Sequence, residues 1–306
     1  MSQTTSTILM IRPVNFGFNE QTADSNTFQN RNAEQQQVQD KALKEFDSMV
    51  NVLRKNGVEV IVVDDTMNPH TPDSIFPNNW VSFHQDGTVF LYPMMAENRR
   101  LERREDIIMD LEDEFSIKHV IDLSRFEHEH KFLEGTGSMV LDRENKIAYA
   151  CLSPRTDKDV LDLFCLESGY KPVLFHAVDE NGMDIYHTNV LMCIGSRFAV
   201  ICLDSIQDEN EKNSVTSVLK LTHKDIIAIS FNQMNHFAGN MLEVQSKSGE
   251  SLVVMSKSAW DSLNYEQRAI LSSFSKPVYL DISTIENIGG GSARCMMAEV
   301  HLPKSS

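Results

Sequence analysis

The feature that most constrains this chain is a repeat. Two short strand-like runs around a turn, then a helix, then another strand-like run recur along it. "VSFHQDGTVFLY" and "GSMVLDRENKIAYACL" read as paired runs, and "SIKHVIDL" and "YKPVLFHA" as the strands that follow a helix. The clearest helix is "AEQQQVQDKALKEFDSMVNVLRKNG", where Val38, Ala42, Leu43, Phe46, Met49, Val50 and Leu53 share one face and Gly57 ends the run. Further helices are expected near Glu102, at "SPRTDKDVLDLFCLESG" with Ser153 as N-cap and Pro154 at the first position, near Asp208 and near Ser258. The starts recur about every 50 to 70 residues, a period that marks repeat architectures.

One strand–strand–helix–strand unit cannot bury its own apolar face, so neighbouring units must pack round a common centre. The expected fold class is therefore α/β, a five-repeat pseudo-symmetric propeller. No linker interrupts it, and residues 1–306 are expected to form a single domain. A doubly wound sheet is the competing architecture, but no G-x-G-x-x-G or GxxxxGK[ST] turn follows a strand.

Charge narrows the partners. A net charge of -16 argues against nucleic acid, which needs a basic face. The basic cluster "NRRLERRED" is interleaved with acids and reads as a solvated helix start, although one arginine there can still face a site. No long apolar run and no leader-like start, "MSQTTSTILMIRP", point to a membrane, so a cytoplasmic protein is expected. The cysteines Cys151, Cys165, Cys193, Cys202 and Cys295 are widely spaced without a CxxC pair, so reduced thiols with no metal and no cofactor are the default. The Gln- and Asn-rich segment from Phe18 to Gln37 reads as a surface loop long enough to cover a site.

Three places could carry chemistry. Cys295 follows the glycine run in "IENIGGGSARCMMAEV", where the backbone can approach a ligand closely. His187, in "MDIYHTNVLMCIG", lies at the mouth of an apolar strand, and by itself reads equally as a half-buried edge residue. Glu134, in "FLEGTGSMVL", sits in an apolar strand where an unpaired acid is costly, or forms the glycine turn that follows.

Taken in order and one per repeat, "FLEGTGSMV", "YHTNVLMCIG" and "GGGSARCMMAEV" resemble the guanidine-modifying pentein superfamily of arginine deiminases, dimethylarginine hydrolases and amidinotransferases. The whole chain, from "ILMIRPVNFGFN" to "SARCMMAEV", most resembles the citrulline-utilisation, amidinotransferase-like branch. The resemblance implies a Cys-His-Glu hydrolase of non-peptide C–N bonds. Cys295 would attack the central sp2 carbon of a guanidino or ureido group, His187 would protonate the leaving nitrogen and then activate water, and Glu134 would accept the substrate N–H groups. "LSPRTD" resembles the segment in which dimethylarginine hydrolases carry an arginine for the substrate α-carboxylate, which assigns that role to Arg155. Arg99 and Arg100 could supplement it, and Arg12, Asn15 and Phe16 are placed to meet the α-amino group.

Two departures from the family pattern shape the substrate expectation. In "SIFPNNWVSF", Asn79 stands where deiminases grip the substrate with an aspartate, and Asn189 replaces the acid after the histidine. An amide offers a donor and an acceptor, which suits a neutral ureido group better than a guanidinium with only donors. Citrulline is therefore the expected substrate, with Asp73 or Asp184 as acids that could restore a guanidinium grip. Arginine or dimethylarginine hydrolysis is the alternative, then amidino transfer, then a non-catalytic scaffold. The expected partner is a small amino-acid substrate, with no nucleic acid, no membrane and a homodimer as the candidate assembly.

Overall fold

The repeat is present as five three-stranded sheets, each built the same way. The first strand pairs antiparallel with the second, and the second pairs parallel with the third after a helical crossover. The coordinates are a computed structural model that describes residues 2–23, 26, 28–29 and 35–305.

In chain order the complete units are Val81–Phe83, Thr88–Leu91 and His119–Asp122; Val140–Asp142, Ile147–Cys151 and Lys171–Phe175; Met192–Ile194, Phe198–Ile201 and Asp225–Ala228; and Leu242–Gln245, Ser251–Ser256 and Lys276–Leu280. The remaining sheet draws on both ends of the chain. Its second and third strands are Thr7–Arg12 and Glu59–Asp64, and its first is the late strand Ala298–Glu299, paired antiparallel as Ile8 with Glu299 and Leu9 with Ala298. This sheet closes the ring.

Burial follows position in the unit. First strands such as Val81–Phe83, Val140–Asp142 and Met192–Ile194 are buried throughout and pack against one another, forming the inner wall. Second strands such as Ile147–Cys151 and Phe198–Ile201 are also buried, and third strands such as His119–Asp122 are mostly exposed at the rim. The apolar core lies between sheets and outer helices in several clusters rather than at the centre. What the inner wall encloses is polar.

The helices form where period and caps agree. Gln35–Lys55 buries Val38, Ala42, Phe46, Met49, Val50 and Leu53, with Leu43 half-buried at the edge of the face, and its last turn carries Arg54 and Lys55 against the negative end of the helix. Glu209–Leu221 is capped by Asp208, as expected. Two expectations shift. The helix at "SPRTDKDVLDLFCLESG" begins at Lys158, because Asp157 accepts from the backbone N–H of Asp159 and Val160, while Ser153 holds a tight turn through its bond to Arg155 N. The helix expected near Glu102 is two pieces, Glu97–Arg100 and Glu105–Glu112, with Glu102 between them. Among the described residues no helix is long and apolar enough to cross a membrane.

Closure gives a stability test. Val300 N donates to Thr7 O at 2.9 Å beside the closing strand. A proline there removes the donor, so Val300→Pro should lower the unfolding free energy by about 3 kcal/mol in a urea titration; an unchanged midpoint would show that the terminal pairing contributes little.

Candidate active site

The segment just before each first strand turns inward, and the candidate residues lie on these segments. Asn79 ends the short helix Pro77–Asn79 before Val81–Phe83. Glu134 caps the short helix Gly135–Ser138 before Val140–Asp142, and His187 caps Thr188–Leu191 before Met192–Ile194. Asn240 stands two residues before the fifth repeat's Leu242–Gln245, and Cys295 lies in the turn before Ala298–Glu299. Glu134 and His187 are thus helix-entry residues, not strand residues, and the short turns aim their side chains at the centre.

Glu134 and His187 form a buried pair, with Nε2 2.8 Å from Oε2. Glu134 Oε1 accepts from Met95 N, while Arg155 and Arg99 stand 3.6 and 3.9 Å from Oε2. Burial opposes the Glu134 charge, but Arg155, the hydrogen bond from His187 and Arg99 outweigh it and hold the pKa well below the usual carboxylate range. Burial pushes His187 the other way, down to about 4, against the pull of Glu134. A carboxylate that is ionised only accepts, so the proton of this neutral imidazole sits on Nε2 and Nδ1 carries the lone pair. Gly137 keeps that edge clear: a Cβ there would stand 2.8 Å from His187 Nδ1 and 2.4 Å from Asn79 Nδ2.

A small pocket opens beside these groups, and its wall includes Cys295, His187, Asn79, Asp73, Arg99 and Arg155. Glu134 is one layer behind this wall, with both oxygens committed to protein groups. The acid on the wall itself is Asp73. Its Oδ2 accepts from Asn19 at 2.7 Å and Thr22 at 3.4 Å and lies 3.7 Å from Arg99, while Oδ1 has no partner among the described residues. Asp184 does not reach this pocket.

The two asparagines have different jobs. Asn79 lines the pocket; its Oδ1 accepts from Arg99 Nη1 at 2.9 Å, and its Nδ2 has no partner among the described residues. Asn189 is not on the pocket wall, and its Nδ2 points at Cys295 Sγ at 3.4 Å. Its Oδ1 has no partner among the described residues. Arg155 is on the wall and buried, stacked 4.9 Å from the Tyr186 ring centroid and bonded to Thr22 O.

Several residues differ from their sequence reading. Arg99, in the cluster read as solvated, is 3% exposed and gripped by both oxygens of Glu102. Glu102 needs that cation: burial raises its pKa to about 8 even with Arg99 beside it. Arg12 pairs with Asp47 at 2.8 Å away from the pocket, and Arg100 turns to Met94 O. Phe16 packs in the core, and Asn15 gives its carbonyl to His70. The glycine run also serves packing: Gly290 has φ +66, and Cβ atoms on Gly289 and Gly291 would meet the Phe76 ring near 2.8–2.9 Å. Of the segment from Phe18 to Gln37, residues 24, 25, 27 and 30–34 lie outside the described ones. Its described part is not a free surface loop, because Asn19, Thr22 and Asn26 are buried against Asp73, Arg155 and the carbonyls of Gly289 and Gly290. Among the described residues no cluster of His, Cys, Asp or Glu could hold a metal.

The sequence reading missed Asn240, Tyr186 and Asn26. Asn240 had a signal: "AGNMLEV" opens the fifth repeat as "PNNWVSF" opens the second, with an asparagine two residues before the first strand.

Five three-stranded sheets around an inner polar site define the chain as a pentein of the guanidine-modifying superfamily. It belongs to the family described as N,N dimethylarginine dimethylhydrolase, eukaryotic, whose model matches residues 12–302. It is accordingly a hydrolase acting on C–N bonds of guanidino compounds. No curated protein sequence matches it. Solved structures share the fold. The N-terminal domain of ArgZ, a cyanobacterial arginine dihydrolase, covalently bound to a reaction intermediate, superposes with TM-score 0.74 at 16% identity over 97% of this chain and 98% of that one. A cysteine variant of AgrE in complex with L-arginine gives TM-score 0.77 at 17% identity over 98% of this chain but 41% of that one. A dimethylarginine dimethylaminohydrolase variant bearing an S-methyl-L-thiocitrulline adduct gives 0.64 at 14% identity over 97% and 99%.

The buried pair fixes two stability outcomes. Glu134→Gln leaves two arginines facing a neutral amide and should cost about 3 kcal/mol at pH 7 in chemical denaturation. Folded His187 stays neutral down to about pH 4, whereas its ordinary value is 6.5, so between these limits the unfolded chain binds a proton that the folded one does not. Stability should fall as pH drops through that window, and His187→Gln should flatten the slope; parallel slopes would mean that the imidazole is not held neutral.

Proposed function

We propose that the protein hydrolyses the guanidino C–N bond of arginine or an N-methylated arginine through a covalent adduct on Cys295. The observation that carries this reading is the buried Asp73 carboxylate on the pocket wall, whose Oδ1 has no partner among the described residues. A guanidinium brings the N–H donors and the positive charge that this oxygen lacks; a ureido group brings no charge. The surroundings favour a cation too. Burial raises the pKa of both Asp73 and Glu102 although Arg99 already stands beside them, so the charged form of Asp73 gains from a further cation at the wall. The ureido preference inferred from two asparagines loses its basis, since Asn189 faces sulfur. The names of the structural neighbours agree with a guanidino substrate: ArgZ is described as an arginine dihydrolase, and AgrE is seen with L-arginine.

The steps balance with residues already in place. Neutral His187 takes the Cys295 thiol proton, sulfur bonds to the guanidino carbon, and the imidazolium, stabilised by Glu134, returns the proton to the departing ammonia, methylamine or dimethylamine. Water then adds with His187 as base, the C–S bond breaks, and the proton returns to sulfur. Hydrolysis places an oxygen on the carbon, and the spare Asn79 Nδ2 suits that new acceptor, so the amide that pointed to a ureido substrate fits a ureido product. The α-carboxylate is assigned to Arg155, whose guanidinium lies between Tyr186 and the covering segment at Thr22.

Purified protein given L-arginine, asymmetric dimethylarginine and L-citrulline in parallel should turn over a guanidino substrate fastest, and Cys295→Ser should abolish both turnover and the adduct seen by mass spectrometry of quenched reactions. Faster turnover of citrulline would overturn the assignment. Asp73→Asn should lower kcat/KM for the guanidino substrate by about 10- to 100-fold, the worth of one charged hydrogen bond.

A further inference from the structure

The mechanism leaves one buried group unexplained, and it comes from the one repeat with no assigned part. Asn240 is 1% exposed. Its Oδ1 accepts from Arg294 N at 3.0 Å, the backbone of the residue preceding the candidate nucleophile. Its Nδ2 donates to Cys295 Sγ at 3.3 Å and to Asn189 O at 3.0 Å, while the protonated thiol also reaches Oδ1 at 3.7 Å, so the amide lies along the sulfur with its donor end nearer. Asn189 Nδ2 approaches the same sulfur at 3.4 Å from the fourth repeat.

We propose that Asn240 is a positioning residue for the nucleophile, and that with Asn189 it forms a two-amide seat that favours the Cys295 thiolate and holds it toward the pocket. The inference rests on the reading of Cys295 as the nucleophile. A sulfur anion at a buried position loses hydration and needs hydrogen bonds to the charged form. His187 receives the thiol proton, but its Nε2 is held by Glu134, so the fixed hydrogen bonds to sulfur must come from other groups. Side-chain amide N–H groups are the donors that the described structure brings to Sγ. Uncharged donors have a particular merit here, since a fixed cation beside the sulfur would repel an incoming guanidinium. By gripping Arg294 N as well, Asn240 ties the orientation of the nucleophile's turn to the donor that serves it.

The test separates this seat from the reaction it serves. Iodoacetamide alkylation of Cys295 is followed by peptide mass spectrometry across pH, with Cys295→Ser as blank, alongside steady-state kinetics on arginine and asymmetric dimethylarginine. Asn240→Ala should raise the midpoint of the alkylation profile by about one pH unit and lower kcat about tenfold, with KM within about twofold. A profile superimposable on wild type would overturn the seat. If neither guanidino compound is turned over but the alkylation shift appears, the proposed function fails and the seat stands. Should Asn240→Ala prove unfolded by near-UV circular dichroism, Asn240→Asp keeps the shape and the acceptor for Arg294 N while placing an acid against sulfur. Slower alkylation than wild type at pH 8 is then expected, and an equal rate would overturn the proposal.

Discussion

Everything in this molecule depends on the inability of a short three-stranded sheet to bury itself. Each unit has a second strand that is apolar on both faces and a first strand of only a few residues, so it is stable only between neighbours. A row of such units would leave an exposed face at each end. Pairing Ala298–Glu299 with Thr7–Arg12 removes both ends at once. The closed ring in turn dictates the site, because the turns that enter the inner strands have nowhere to point but the middle, where the side chains of different repeats meet.

A centre reached by so many turns cannot be apolar, and its polar groups must satisfy one another. Glu134 is the hinge of that settlement. Its carboxylate is held ionised by Arg155, His187 and Arg99, and its charge fixes which nitrogen of His187 carries the proton. Arg99 in turn is shared among Glu102, Asp73 and Asn79, and it decides which end of the Asn79 amide is left for a ligand. Desolvation opposes every one of these charges, so the cluster is stable only as a whole. Asp73 Oδ1 is where the settlement stops short, on the pocket wall.

The sequence made the repeat legible because period and turn chemistry are local. The long helix from Gln35, the paired runs at Val81–Leu91 and the Asp208 cap follow from spacing of apolar residues and from capping alone. Cys295, His187 and Glu134 could be found as motifs because each repeat presents its chemistry just before its first strand. What could not be found was who faces whom. Asn189 and Asn79 are the same residue type in equivalent turns, yet one serves sulfur and the other the pocket, a difference set by Asn240 and Arg99 from distant parts of the chain. Glu134 behind the wall and Asp73 on it likewise differ only in three dimensions. Charged sequence neighbours make Arg99 read as solvated, and its burial follows from Glu102, which lies in the break between the helices Glu97–Arg100 and Glu105–Glu112.

The carboxylate of Asp73 divides its two oxygens between different tasks. One fastens Asn19 and Thr22, in the same stretch of chain as the wall residue Asn26, and the other has no partner among the described residues. Selectivity for charge and the anchoring of that stretch are therefore not independent properties of this protein. A substitution that removes the acid's pull on a cation also removes the acceptor that holds Asn19 and Thr22, so evolution toward a neutral substrate would have to rebuild that anchor as well as the pocket.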